Sequence, residues 1–162
     1  MLGFGEQGRP GLIPPKTDLI FDIELINVKP KPVILPFNVK GKDTVTTASG
    51  LKYIIVKDTA GDKASVGSTV KVHYSGYLTD GKMFDSSIER DEPIEVQVGA
   101  GRVIRGWDEG LQLMSVGDKI RFIIPYNLAY GEQGSPPVIP PKSTLIFDCQ
   151  MMSVVASPLD HK

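Results

Sequence analysis

The chain has 162 residues, 41% hydrophobic and 23% charged, the make-up of a soluble globular protein with room for one ordinary domain and some extra. Lys+Arg 18 against Asp+Glu 19 leaves a net charge of -1 with no basic cluster, so neither nucleic acid nor an anionic membrane is an expected partner. One cysteine excludes an intrachain disulfide, two histidines leave no metal-ligand spacing, and no apolar run is long enough to insert in a membrane.

In chain order the first element is a repeat. GFGEQGRPGLIPPKTDLIFDIELINV, Gly3 to Val28, returns as AYGEQGSPPVIPPKSTLIFDCQMMSV, Ala129 to Val154, without a gap at an offset of 126 and with 14 of 26 positions identical. Only the second copy closes a long patterned stretch. The expected organisation is therefore a chain cut from a tandem array: a C-terminal domain fragment at 1–28, a linker at 29–45, one complete domain at 46–156 and a tail at 157–162. Thr17 to Val28 reads as a strand whose own sheet is missing. Disorder or loose docking is expected for it rather than pairing between two chains, and the protein is expected to be a monomer. The opening MLGFGEQGRP lacks the basic and apolar regions of a signal peptide, which leans toward a cytoplasmic compartment.

Lys29 to Lys42 carries Pro30, Pro32 and Pro36, which remove donors and bias their neighbours toward extended backbone, so it reads as a semi-rigid linker. Val33-Ile34-Leu35 and Phe37 make it too apolar for a solvated spacer and suit docking on a domain surface. Beyond it, Leu51 to Val56 is a β-rich run closed by the turn at Ala60-Gly61. Val70, Val72 and Tyr74 alternate with Lys71, His73 and Ser75, the period of a half-buried strand. Thr79-Asp80-Gly81-Lys82 is a tight turn. Ile94, Val96 and Val98 alternate again, as do Ile120, Phe122 and Ile124, and Thr144 to Val154 is the last and longest strand. Only Val103 to Met114 has helical spacing, with Trp107, Leu111 and Met114 at i, i+4 and i+7. About five antiparallel strands curved around one short α-helix make the class α+β. Val116-Gly117-Asp118 is a turn, and the stiff apolar loop Ser135 to Pro141 has the character of a binding-site rim. Cys149, in alternation with Leu145, Phe147 and Met151, is expected to be a packed, inert thiol.

No hydrolytic or redox constellation is present. Asp85-Ser86-Ser87 has no histidine at catalytic spacing, and His73 sits on the polar parity of its strand. Gly99-Ala100-Gly101 with Gly106 fails as a dinucleotide loop, because Ile104 occupies the third glycine position and no βαβ unit follows. What remains is an aromatic set from five separate elements: Tyr74, Phe84, Trp107, Tyr130 and Phe147. These rings alone would be core. They fall beside turns and glycines, though, and they come with Asp85 and Arg90, a pair able to anchor a loop by a charge-assisted hydrogen bond.

VHYSGYLTDGKMFDSS, VIRGWDEGLQLMSVGD and AYGEQG-x-x-x-VIPPKSTLIFD together resemble the FKBP-type peptidyl-prolyl cis-trans isomerases, the immunophilins that bind tacrolimus and rapamycin. The resemblance covers about Thr46 to Val155, and Gly3 to Val28 resembles the last loop and strand of a second such domain. It implies an FKBP-like fold and an isomerase of X-Pro bonds that needs no cofactor and no metal. It also implies proline-containing polypeptides as substrates and macrolides as ligands. It places the site on Tyr74, Phe84, Asp85, Trp107, Tyr130 and Phe147, with Arg90, Ile94, Val103, Ile104, Val138 and Ile139 binding substrate. In the family the indole matching Trp107 is the pocket floor, while the Ile104 N–H and the Tyr130 phenol bond ligand carbonyls. Two positions depart from the best-known members: Ile94 replaces a phenylalanine and Ser135 a histidine, which bears on sequence preference and macrolide affinity. In the first copy Phe4 replaces the tyrosine found at Tyr130. The alternative reading, a binding module for proline-containing segments without turnover, would be favoured by a missing Asp85, Trp107 or Tyr130, and all three are there.

Overall fold

Alternation of apolar and polar residues becomes one seven-stranded antiparallel sheet in the computed structural model, which describes residues 4–157. The strands are β1 (Val45–Thr46), β2 (Lys52–Lys57), β3 (Thr69–Leu78), β4 (Met83–Ser86), β5 (Ile94–Gln97), β6 (Lys119–Ile124) and β7 (Leu145–Val155). Their order across the sheet is β1-β2-β6-β7-β3-β4, with β5 also pairing β3. Two more strands form than the sequence expects. β1 is two residues on an edge, and β4 reads Met-Phe-Asp-Ser, with no apolar alternation to announce it. The chain separates into two units, Met1–Pro30 and Lys31–Lys162. The expected 157–162 tail lies outside the described residues beyond Ser157, as do residues 1–3 of the expected fragment.

The centre of the sheet is β7, which pairs with β6 on one side and along the whole of β3 on the other. One face carries Val70, Val72 and Tyr74 of β3, Ile120, Phe122 and Ile124 of β6, and Leu145, Phe147, Cys149 and Met151 of β7, all buried. The Cys149 thiol is enclosed in this core, where burial pushes its pKa up and keeps it protonated. Against this face packs α1 (Arg105–Gly110), followed by a 3₁₀ turn, Leu111–Leu113. Trp107, Leu111 and Met114 are buried, as their spacing expects, yet the α-helix is only six residues and not the whole of Val103 to Met114. A Cβ on Gly106 would sit 2.4 Å from Ile124 Cγ2, and one on Gly110 would sit 2.8 Å from Phe122 Cε1. Those two glycines bring the helix backbone down onto β6. Upstream, Asp108 accepts the Gly99 and Gly101 N–H groups at 3.0 and 2.9 Å, so residues 99–104 form a loop of turns and bends tied back to the helix start.

Turn chemistry closes the frame. Leu78 N–H donates to the Lys82 carbonyl at 2.9 Å across the expected turn, with Gly81 at φ +88°. The carboxylate of buried Asp118 accepts from the Thr59 N–H and hydroxyl and from the Ser115 N–H, which ties the end of β2 to the start of β6.

In the Met1–Pro30 unit the repeated loop keeps its fold. Arg9 and Ile13 exchange backbone hydrogen bonds at 2.8 and 2.9 Å, as Ser135 and Ile139 do at 2.8 and 3.0 Å. Lys16 and Lys142 share φ +55°, and the Thr17 and Ser143 hydroxyls each donate to a proline carbonyl at 2.7 Å. The strand does not follow. Among the described residues, 17–28 enter no strand pairing, and Phe21, Ile23 and Leu25 are exposed, whereas β7 is the middle of a sheet. A turn closed by its own hydrogen bonds is encoded locally; a strand needs partners.

Candidate active site

At the end of the sheet where β4, the 99–104 loop and the 125–144 loop meet lies a cavity of about 410 Å³. It is lined by Tyr74, Phe84, Asp85, Ile94, Val103, Ile104, Trp107, Tyr130 and Phe147, together with Gly101 and Arg102. Phe147, on the inner face of β7, is the hub. Its ring meets Trp107 at 5.3 Å between centroids, Phe84 at 5.5 Å and Tyr74 at 6.1 Å, the first two nearly edge-on. Tyr74 and Trp107 meet edge-on at 5.1 Å. Such edge-to-face pairs are favoured over stacked ones and lock the rings as a rigid wall. Gly76 permits the arrangement: a Cβ there would lie 2.6 Å from Phe84 Cζ and 2.9 Å from Phe147 Cε1. Sequence reasoning passed over this residue, although a glycine inside a strand signals close approach.

β4 positions the polar corner. Ser87 Oγ accepts the Tyr74 N–H at 2.8 Å, and the Ser87 N–H donates to the Tyr74 carbonyl at 3.0 Å, fixing the chain after β4 against β3. The Tyr74 hydroxyl then donates to Asp85 Oδ2. Arg90 donates from Nη1 to Asp85 Oδ1 at 2.6 Å and from Nη2 to the Tyr74 hydroxyl oxygen at 3.0 Å. Burial, and then the bond to Asp85, pushes the Tyr74 phenol from 10 up to about 12. Burial alone would raise the Asp85 carboxyl, but the Tyr74 hydroxyl and the Arg90 guanidinium outweigh it and hold it low. At neutral pH the corner is therefore a neutral phenol, a carboxylate and a guanidinium, with nothing poised to exchange a proton.

Three residues that line the cavity carry donors without acceptors of their own. Trp107 Nε1 is buried and unpartnered. Neither the Ile104 N–H nor the Tyr130 hydroxyl makes a hydrogen bond among the described residues. Tyr130 stands half-exposed at the mouth, on a loop held by Gly131 N–H to the Tyr126 carbonyl at 2.7 Å.

The remaining expected residues lie elsewhere. Arg90 stands behind Asp85 and does not line the cavity. The paired bonds between Ser135 and Ile139 close the Pro-rich loop and turn Ile139 into the core, leaving Val138 exposed; neither lines the cavity. His73 bonds Ser87 through Nδ1 at 3.0 Å, outside the site. Gly101 and Arg102 were not expected, and the glycines around them are the signal that could have found them. Among the described residues no group of His, Cys, Asp or Glu is arranged to hold a metal, and no helix is long and apolar enough to cross a membrane.

A model of the FKBP-type peptidyl-prolyl cis-trans isomerase family matches residues 61–152. A Haemophilus influenzae protein named a probable FKBP-type peptidyl-prolyl cis-trans isomerase is 54% identical over 115 residues, 71% of this chain and 47% of that protein. The FK506-binding protein 2 of Yarrowia lipolytica is 55% identical over 92 residues, 57% of this chain and 64% of its own length. Among solved structures, FkpA from Escherichia coli superposes with a TM-score of 0.67 at 42% identity, covering 74% of this chain and 55% of that one. The chain thus spans about half the length of the Haemophilus relative and less than two thirds of the other two.

Proposed function

This chain belongs to the FKBP-type peptidyl-prolyl cis-trans isomerase family, and from that premise we propose that it isomerises X-Pro bonds in polypeptides by binding the proline in the aromatic cavity. The observation that carries the reading is the cavity itself: four interlocked rings beside unpartnered donors at Ile104, Trp107 and Tyr130. Rotation about an amide C–N bond is opposed by its partial double-bond character, a barrier of about 18–20 kcal/mol. The planar amide is the more charge-separated form, so a water-poor aromatic wall disfavours it relative to the twisted transition state. Donors fixed at Ile104 N–H and Tyr130 hydroxyl bond a carbonyl of the twisted peptide without reorganising. The Tyr74–Asp85–Arg90 corner holds the Tyr74 ring edge in place. No proton moves and no covalent bond forms. Each ~1.4 kcal/mol removed from the barrier is tenfold in rate.

The test is cis-to-trans relaxation of X-Pro peptides followed by NMR exchange or fluorescence. Acceleration above background at micromolar protein, strongest with an apolar residue before proline because Ile94 and Val103 line the approach, is the expected result. Saturable binding without acceleration would make the chain a proline-binding module instead. Tacrolimus and rapamycin are proposed ligands of the same cavity. They should perturb Trp107 fluorescence and compete with the peptide, and absence of competition would reject the cavity as the site.

The same reading takes Gly3 to Val28 as the closing loop and strand of a second FKBP-like domain, with residues 29–45 as the connection and 46–156 as the domain that acts. It is supported by the 14 identities and by the shared loop geometry, from the Arg9–Ile13 pair to Lys16 at φ +55°.

A further inference from the structure

We propose that the outer face of the sheet carries a second binding site, for an extended peptide segment, built on Asp148 and Arg121, and that residues 31–39 are its resident ligand. Asp148 lies on β7 between Ser75 of β3 and Arg121 of β6, and Arg121 in turn is registered with Ile54 of β2. This row faces away from the aromatic core, where polar residues are ordinarily wet. Here it is dry: the Asp148 side chain is 3% exposed, and Ser75 and Ile54 are buried.

The carboxylate is engaged three times. Arg121 donates from Nε to Oδ1 at 2.6 Å and from Nη2 to Oδ2 at 2.7 Å, and the backbone N–H of Phe37 donates to Oδ2 at 2.7 Å. A bidentate guanidinium would satisfy a carboxylate at a wet surface. A buried one with an open lone pair calls for a further donor, and the one it takes comes from a residue 111 positions away. The ligand side is matched to this. Pro36 fixes its own φ and holds Leu35 extended, so Phe37 arrives preorganised and loses little entropy on docking. The Phe37 ring is half-buried, with the Lys119 ammonium 5.8 Å from its centroid. Ile34 is half-buried as well, whereas Val33 and Leu35 are exposed. Tyr77, two residues beyond Ser75 on the same face, is buried beside the Asp148–Arg121 ion pair. The class of ligand is thus an extended segment with an apolar residue, a proline and then an aromatic residue, read through one backbone N–H.

Two measurements test this, both on the full chain. In the unmodified protein, the Phe37 amide should exchange with solvent at least tenfold more slowly than those of Val33 and Leu35. In a chain whose residues 32–39 are replaced by a glycine-serine stretch of equal length, a synthetic peptide spanning Pro32 to Lys40 should bind saturably and shift the amide resonances of Asp148, Arg121 and Ile54. The same peptide with Phe37→Ala should bind at least tenfold more weakly, and the unmodified chain, its site already filled, should leave those resonances unmoved. Because the peptide contains a Leu-Pro bond it can also enter the aromatic cavity. Shifts confined to Trp107 and Tyr130 would mean that it is read only as substrate, and the second site would be rejected. Exchange at Phe37 as fast as at Val33 would reject it independently, even if the replaced chain failed to fold.

Discussion

Phe122 and Phe147 are cross-strand neighbours on β6 and β7, both on the inner face and nearly inaccessible, yet only Phe147 lines the cavity. Replacing each in turn by leucine separates loss of fold from loss of function. Truncating a buried phenylalanine to alanine costs about 3–5 kcal/mol, and leucine restores about half of the deleted side-chain carbons, so about 1.5–2.5 kcal/mol is expected at either position. Phe147→Leu also removes three ring pairs, with Trp107, Phe84 and Tyr74, worth about 0.5–1.5 kcal/mol each when fully formed. These pairs share one ring and are not additive, so Phe147→Leu should total about 3–4 kcal/mol. Urea denaturation measures both values. Activity should part company with stability: Phe147→Leu should lose at least tenfold in kcat/KM, about 1.4 kcal/mol of transition-state stabilisation, while the folded fraction of Phe122→Leu keeps near-native turnover. Equal activity loss in both variants would show that the ring cluster acts only as core, and the catalytic reading of the cavity would fall.

Asp85→Asn removes the charge that Arg90 and Tyr74 bind; with both Asp85 and Arg90 about half-exposed, solvent screening limits the loss to about threefold to tenfold in kcat/KM, with under about 1 kcal/mol of stability, checked by peptide assay and urea melts. Because the Tyr74 phenol is raised to about 12, the unfolded chain releases that proton first; the contribution of Tyr74 is intact below about pH 10 and is lost as pH rises toward 12, so the alkaline decline in stability should be shallower in Tyr74→Phe. Asp85, held low, contributes above the ordinary carboxylate range and loses that contribution as pH falls through its depressed value, so the acid limb should be steeper in the native protein than in Asp85→Asn. Gly106→Ala should be destabilising by about 1–3 kcal/mol, despite a helix-propensity gain of about 1 kcal/mol, because the new Cβ meets Ile124; a double-mutant cycle with Ile124→Ala should show the clash relieved.

Which parts of this fold and site could be read from the residues follows from what each depends on. The alternation at Val70, Val72 and Tyr74 and the spacing of Trp107, Leu111 and Met114 record which face is buried, and those faces are buried in the structure. The extent of α1 depends on how closely Gly106 and Gly110 let it approach β6, a tertiary distance absent from any local pattern. β4 escaped for a related reason: Phe84 and Asp85 answer to the cavity and to Arg90 rather than to a hydrophobic layer. The aromatic residues were identifiable because rings beside glycines and turns are out of place in an ordinary core. Ile139 and Val138 show the limit, since a pair of backbone bonds between Ser135 and Ile139 decides which of the two turns inward. The repeat separates the two kinds of information cleanly: the loop at Gly8 to Thr17 folds on its own hydrogen bonds, while residues 17–28, lacking neighbours, form no strand.

β7 is last in chain order among the described strands and yet lies in the middle of the sheet. During synthesis, everything before Leu145 can form only two separate ribbons, β1-β2-β6 and β3 with β4 and β5, because the strand that joins them has not been made. Until it arrives, Val72, Tyr74, Ile120 and Phe122 have no Cys149 or Phe147 to pair with, and two long strand edges stand open. The nascent chain therefore cannot commit to its fold in stages. The sheet stays open until Leu145 to Val155 has been made and closes in a single event, the kind of long-range pairing that is slow and exposed to aggregation. A polypeptide proposed to help others past a slow folding step thus passes through an unpaired interval of its own, and every chain released before Leu145 would lack the central strand entirely.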